Sequence, residues 1–335
     1  MPDGIKPVMF TLSQALPVVR EQGFYVEFLY SAGYAGSDRS NWNAVFERRL
    51  EQVLATYDPR VVVFDGTYPY RGLLQAIGRH PSRKFVWCRR AMWRKGIGGK
   101  NLECSKLFDV ILEPGEFAAE ADRGLTVARR QEAAVLSPIL YCDPSELLTR
   151  EETERRLGLA SDRLNVLVQL GAGNINDISS AVGMCVDRLR REPQVQVVVA
   201  ESTIAGTSVA LPAGVLRLSA YPLSRFYRAF DLSVSAAGYN SYHELVGYGV
   251  PALFVPNTET ALDDQLARAR YAEKVGVARV WDKPTLEALD RALVDLLDDE
   301  RRQRLAEQAR KLAFDNGAAR AADILAELAQ SPPGG

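Results

Sequence analysis

The stretch Asp231–Gln265, DLSVSAAGYNSYHELVGYGVPALFVPNTETALDDQ, leaves a chain few folds to choose from. Asp231–Ser235 reads as a short buried strand and Ala236–Tyr239 as a tight turn of small residues. Asn240 or Ser241 can cap a helix that ends near Gly247–Gly249. Val250–Val255 reads as a second strand, and Pro256–Gln265 as a polar loop entering a further helix. Strand, turn, helix and strand in this order form the unit of a parallel sheet. In open parallel sheets ligands sit at the carboxyl ends of the strands, and both polar loops of the stretch lie on that edge.

The turn suits an anion. Gly238 has no Cβ, so a ligand can approach its backbone closely. The first amides of the following helix lack internal partners and carry the positive end of its dipole. A phosphate there would be held by the amides of Gly238, Tyr239, Asn240 and Ser241, with the Ser241 hydroxyl as an extra donor. Glu244, one turn further on, makes little sense beside a phosphate but suits two adjacent ribose hydroxyls. The same letters allow a plainer reading. Ser241-Tyr-His-Glu244 fits the capping box S-x-x-E, in which the glutamate only closes the helix start.

The remainder repeats the alternation of strand and helix. Pro7–Leu12 and Gly23–Tyr30 read as strands around a short helix, Gln14–Gln22. A helix at Asn41–Tyr57 ends at Asp58-Pro59, and the all-apolar Val61–Phe64 reads as a strand buried on both faces. Strands at Lys84–Cys88 and Asp109–Leu112 follow. The pattern weakens between Ser137 and Leu159, where Ser137-Pro138 and Asp143-Pro144 signal turns. A second series then runs through strands at Asn165–Leu170, Gln194–Ala200 and Val215–Leu218, the opening stretch, and helices to Leu328. The reading is an α/β chain of two doubly wound domains: residues 1–142, a linker at 143–160, and residues 161–330. Two such domains facing one another make a cleft, a common ligand site.

Composition excludes several classes. The 335 residues, 47% of them hydrophobic, suffice for two cores. Lys and Arg number 41 against 42 Asp and Glu, a balance that argues against broad nucleic-acid binding. Cys88, Cys104, Cys142 and Cys185 are scattered without C-x-x-C spacing, so neither a metal site nor a disulfide framework is expected, and a reducing cytoplasm is. No apolar run reaches the ~20 residues of a membrane span. One loop is strongly basic: Arg89, Arg90, Arg94 and Lys95 surround Trp93 after a strand that itself contains Trp87. It reads as a solvated loop, as a seat for an anionic acceptor such as a lipid phosphate, or as a contact with an anionic membrane surface.

The second half resembles GT-B glycosyltransferases, in particular the family that includes the peptidoglycan UDP-N-acetylglucosaminyltransferase. Gly238-Tyr-Asn-Ser-Tyr-His-Glu244 is similar to the G-W-N-S-x-x-E donor signature of UDP-glucosyltransferases. Gly249-Val-Pro251 matches the G-x-P that follows it, and Asp264-Gln265 the closing acidic residue and glutamine. The likeness covers roughly 160–330. It implies that Gly238, Asn240 and Ser241 hold the donor diphosphate and that Glu244 takes the ribose hydroxyls. Asp264 and Gln265 would read the transferred sugar. The loop with Gly171, Gly173 and Asn174 would approach the diphosphate or the acceptor, and the segment with Tyr221 would hold the base. Ala236 stands where some relatives have a phosphate-binding His, Tyr239 replaces Trp, and Arg268 falls near the place of a motif Asn.

The resemblance also implies a first strand and a Gly-rich loop with a His or Asp base ahead of Pro7, where this chain begins with what looks like the family's second strand. The expected activity is transfer of a hexosyl group from a nucleotide sugar, UDP-linked, to an acceptor small molecule or lipid-linked saccharide. No D-x-D triplet is present, so the diphosphate is expected to be stabilised by helix amides, with no metal and no cofactor. Base candidates within the chain are Asp65 and Glu116, on carboxyl-end loops of the first domain. His80 reads as a surface residue and His243 as structural. The alternatives are a non-catalytic nucleotide-sugar-binding homologue acting as a partner protein, and a sugar-nucleotide epimerase of the same fold. The expected location is the cytoplasm, at the inner face of the membrane.

Overall fold

A computed structural model describes residues 4–171, 179–201, 210–312 and 314–331. The backbone divides into two compact units. The first comprises Met1–Gly115, Gly124–Ser137 and Gly317–Gly335; the second comprises Glu116–Arg123 and Pro138–Asn316.

In the first unit the elements run β1 (Val8–Thr11), α1 (Leu16–Glu21), β2 (Tyr25–Phe28), α2 (Arg39–Tyr57), β3 (Val61–Asp65), α3 (Arg71–Arg79), β4 (Lys84–Cys88), α4 (Gly99–Leu102), β5 (Val110–Glu113) and β6 (Ala133–Val135). All pairings are parallel and form two ladders, β1-β2 and β3-β4-β5-β6. Helix α2 starts where Asp38 accepts hydrogen bonds from the Ser40 and Asn41 amides, and it stops at Asp58, whose φ of +43° breaks the helix before Pro59. Its apolar face carries Trp42 and Phe46. Phe46 stacks on Phe10 of β1 (5.7 Å between centroids) and meets Tyr70 (5.1 Å), which in turn touches Phe64 of β3 (6.2 Å). The two ladders thus share one aromatic core. The sequence suggests a doubly buried strand at Val61–Phe64; instead β3 is an edge strand whose Val63 is 44% exposed, because among the described residues it bonds β4 alone.

The second unit continues with α5 (Arg150–Leu157), β7 (Leu164–Gln169), α6 (Ser179–Leu189), β8 (Val195–Ala200), β9 (Leu216–Leu218), β10 (Leu232–Ala236), α7 (Tyr239–Gly247), β11 (Ala252–Val255), α8 (Gln265–Lys274), β12 (Ala278–Val280), α9 (Leu286–Leu297) and α10 (Asp299–Lys311). Its sheet is parallel throughout, in the order β12-β11-β10-β7-β8-β9. Strands β7 to β9 build outward in one direction and β10 to β12 in the other. The order therefore reverses between β7 and β10, and a sheet of this kind takes its ligand at that switch point. Central strands of Val and Leu (Val166, Val168, Leu232, Val234, Leu253) are fully buried between helices on both faces.

The division differs from the sequence reading in four places, the first being Pro138–Cys142, expected with the first domain and counted with the second unit. Residues 143–160, expected as a linker, belong to the second unit, where Arg150 clamps Asp231 through two bonds of 2.8 and 3.1 Å. A final helix, α11 (Ala318–Gln330), expected with the second domain, counts with the first, where Arg60 donates to the Ala329 carbonyl at 3.1 Å. The short segment 116–123, expected with the first domain, counts with the second.

Candidate functional site

At the switch point of the second unit, the segments after β10 and β11 bring together Gly238, Asn240, Ser241, Glu244, Asp264 and Gln265. Strand β10 ends in small buried residues, Ser233, Ser235 and Ala237, which let the chain turn tightly into α7. The helix begins at Tyr239 with Gly238 as its N-cap (φ −66°, ψ 154°), and no side chain among the described residues caps it. Asn240 and Ser241, expected as caps, lie inside the first turn. The reason is local: extended Gly238 already supplies the first helical acceptor, its carbonyl taking the Tyr242 amide at 3.0 Å. The capping-box reading falls with this. Ser241 bonds Tyr227, and Glu244 accepts the Tyr141 amide at 3.3 Å instead of reaching back to the helix start.

Gly238 needs no glycine for the protein's own sake. Its φ is ordinary, and a Cβ built there would meet only the Gln265 amide nitrogen, at 3.9 Å. The open helix start and that free space face the same side as Gln265. Gln265 is buried; its Oε1 accepts the Asn257 amide at 3.0 Å, leaving Nε2 toward Gly238. Asp264 caps α8 by accepting the Ala267 amide at 3.0 Å. Gly171 closes β7 with a φ of +99°, a conformation that favours glycine. Gly173 and Asn174 lie outside the described residues.

Glu244 is only 7% exposed, and burial pushes its carboxyl up to about 7, against the pull of the Tyr141 amide and the Ser224 hydroxyl. Beside it stand two half-exposed tyrosine rings. Tyr221 and Tyr141 meet edge to face at 5.1 Å and 75°. Tyr141 was not legible as a site residue: no pattern links it to a helix a hundred residues on. Its neighbours are pinned to the same helix and its exit. Ile139 donates to the Tyr239 hydroxyl (3.1 Å), Leu140 to Asn316 (3.0 Å), and Tyr248 to the Cys142 carbonyl (2.6 Å). Tyr242, in the same helix, packs on Phe254 with its hydroxyl buried and without a hydrogen-bond partner among the described residues. Tyr242→Phe is expected to raise stability by about 1 kcal/mol, since it removes a desolvated donor; a lower melting temperature would contradict this.

Glu116 was expected as a base and is not suited to it. Both oxygens are occupied, one by Arg268 Nε at 3.0 Å and one by the Ala118 amide at 3.1 Å. Burial alone would raise its pKa, but the Arg268 charge holds it down to about 2, so it does not take up a proton near neutrality. His243 is structural, as read from the sequence. It is fully buried, its Nε2 takes the Phe117 amide at 3.0 Å, and its Nδ1 meets the Tyr239 carbonyl at 2.7 Å. The same Nε2 also lies 3.1 Å from Glu116 Oε1. His80 ends α3 and pairs with Glu51 at 2.7 Å. Asp65, in the first unit, keeps a largely exposed carboxylate at the end of β3, 3.6 Å from Arg90.

The basic loop needs correcting. Arg89 is 0% exposed, and its guanidinium is spent on Ser105 (3.0 Å), Glu113 and Glu132 (both 3.5 Å) and the Arg129 carbonyl (3.2 Å). It cannot seat an anion. Ala91, Met92 and Trp93 are buried as well, so the loop is a packed element from which Arg90, Arg94 and Lys95 emerge to differing degrees, Lys95 furthest.

Comparison with known proteins agrees with this geometry. Residues 220–325 match the Glycosyltransferase family 28 C-terminal domain. A UDP-N-acetylglucosamine--N-acetylmuramyl-(pentapeptide) pyrophosphoryl-undecaprenol N-acetylglucosamine transferase of Salinibacter ruber is 41% identical over 103 residues, 30% of this chain and 28% of that protein. The enzyme of the same name from Acinetobacter baylyi is 26% identical over 69% of this chain and 63% of its own length. The chain thus spans less than two thirds of these relatives. A solved glycotransferase of kitacinnamycin superposes with a TM-score of 0.64 at 17% identity, covering 96% of this chain and 91% of that one. The chain has the GT-B fold of two Rossmann-like units, and its second half resembles the peptidoglycan N-acetylglucosaminyltransferases.

Proposed function

We propose that the chain transfers a hexosyl group from a nucleotide sugar, with UDP as the nucleotide, to an acceptor hydroxyl. The observation that supports it most is the uncapped start of α7 at the switch point, with Glu244 one turn behind it and Gln265 beside it. The diphosphate would lie on the amides of Gly238, Asn240 and Ser241. Glu244 would accept the two ribose hydroxyls, Tyr221 would flank the base, and Asp264 and Gln265 would meet hydroxyls of the sugar. As the acceptor oxygen attacks the anomeric carbon and gives up its proton to solvent, the bond to the diphosphate breaks and negative charge grows on the leaving oxygens. Amides already aimed there stabilise that charge without reorganising. Neither a metal nor a cofactor is part of this scheme.

The relatives' name makes a lipid-linked saccharide the first acceptor to test, met at the inner face of a membrane. No helix among the described residues is long and apolar enough to cross one. The test is release of UDP from UDP-N-acetylglucosamine and UDP-glucose in the presence of an undecaprenyl-linked muropeptide, against a no-acceptor control. Acceptor-dependent release is expected. Tight UDP binding with no release from either donor, across lipid-linked and soluble acceptors, would overturn the transferase reading.

A further inference from the structure

Arg268 lies behind the turn between β10 and α7, completely buried. Three of its donors are committed: Nε to Glu116 (3.0 Å), Nη2 to Asp263 (2.8 Å) and Nη1 to the Ala237 carbonyl (2.9 Å). Its guanidinium also rests against the Tyr242 ring, 5.8 Å from the centroid.

The bond to Ala237 sets a direction. The Ala237 carbonyl and the Gly238 amide belong to one peptide plane, and in a trans peptide they point opposite ways. A guanidinium that draws the carbonyl inward turns the Gly238 N–H outward, toward the open helix start. Charge attraction is not the mechanism. Arg268 is matched by two carboxylates, Glu116 and Asp263, so the cluster carries no surplus positive charge to offer an anion. Glu116 instead keeps the guanidinium in place: a buried cation without a partner would be costly, and the carboxylate also fixes its tilt. Glu116 is itself held by the Ala118 amide, and Phe117 next to it packs on Tyr242 and Tyr271.

We propose that Arg268, held by Glu116 and Asp263, is a positioning residue for the donor diphosphate, acting by orienting the Ala237–Gly238 peptide. This rests on the donor-site reading above. It also gives Glu116, excluded as a base, a defined part in the site.

The test compares ligands that share a nucleoside but differ in phosphate. The double variant Glu116→Gln/Arg268→Met removes both charges together, so neither is left buried alone. UDP affinity is expected to fall about 10-fold, the scale of one charge-assisted hydrogen bond, while uridine affinity, measured by displacement, changes less than about twofold. Should that variant not fold, Arg268→Lys decides. Lysine keeps the charge but not the three-way fork, and a phosphate-selective loss of about 3-fold is expected. Equal losses for UDP and uridine, or no loss of UDP affinity in either variant, overturn the positioning role. Wild-type protein that binds neither ligand overturns the donor site itself, and this proposal with it.

Discussion

Glu244→Gln is expected to weaken UDP binding by about 10- to 100-fold, the range for loss of hydrogen bonds to a charged group, and to make the protein more stable at alkaline pH. Both effects come from one buried carboxyl. Burial moves it to about 7 from an ordinary 4.5, so between those values the folded chain keeps a proton that the unfolded chain has released. Stability therefore falls as the pH rises through that window. The full loss, reached above pH 7, is about 3 kcal/mol at 1.36 kcal/mol per pH unit. Glutamine does not ionise and escapes the loss. Donor binding runs the other way: two ribose hydroxyls are best accepted by the carboxylate, so wild-type UDP affinity should drop below pH 7 while that of the variant stays level. Calorimetric titration and thermal unfolding at pH 5 and pH 8 check all of this. A wild-type affinity independent of pH, or a variant no more stable at pH 8, would count against it.

Gly238→Ala should separate binding from folding. The added methyl meets nothing closer than the Gln265 amide nitrogen at 3.9 Å, and the backbone is in a region open to any residue. Stability should change by less than about 1 kcal/mol, a weaker N-cap being set against lower entropy of the unfolded chain. UDP affinity should fall at least about 10-fold, because the methyl stands where the diphosphate approaches. Gly124→Ala is the opposite case. There a Cβ would sit 2.4 Å from the Trp93 carbonyl oxygen, within the first unit's own packing. It should cost about 3 kcal/mol and leave the UDP affinity of the folded fraction unchanged. An unaltered affinity in Gly238→Ala would remove the diphosphate from the turn.

What the sequence made legible is what depends on local periodicity. The β10-turn-α7-β11 unit was readable because small residues, an apolar strand and a glycine follow one another within one stretch; the switch point emerged only with the strand order of the folded sheet. The misread residues are those whose partners lie far along the chain. Nothing in Arg89-Arg-Ala-Met-Trp93 distinguishes a solvated arginine from a buried one until Glu113 and Glu132, 24 and 43 residues on, are folded against it. Glu116 resembled a loop carboxylate for the same reason, its partner Arg268 being 152 residues away. The helix cap failed differently. Ser241 and Glu244 satisfy a real local pattern, but an extended glycine three residues earlier starts the helix first.

The segment 116–123 has a practical consequence for anyone exchanging the proposed donor site between such proteins. The unit that carries the donor motif is not one continuous stretch of sequence. A chimera joined at a single point near residue 142, where sequence alone would cut, takes Arg268 and His243 from one parent and Glu116 and Phe117 from the other. Unless the second parent happens to supply a matching acid, the graft inherits a buried guanidinium with one of its two carboxylate partners gone. The transplantable module is two pieces, and the small one, eight residues from the other side of the gene, must travel with the large.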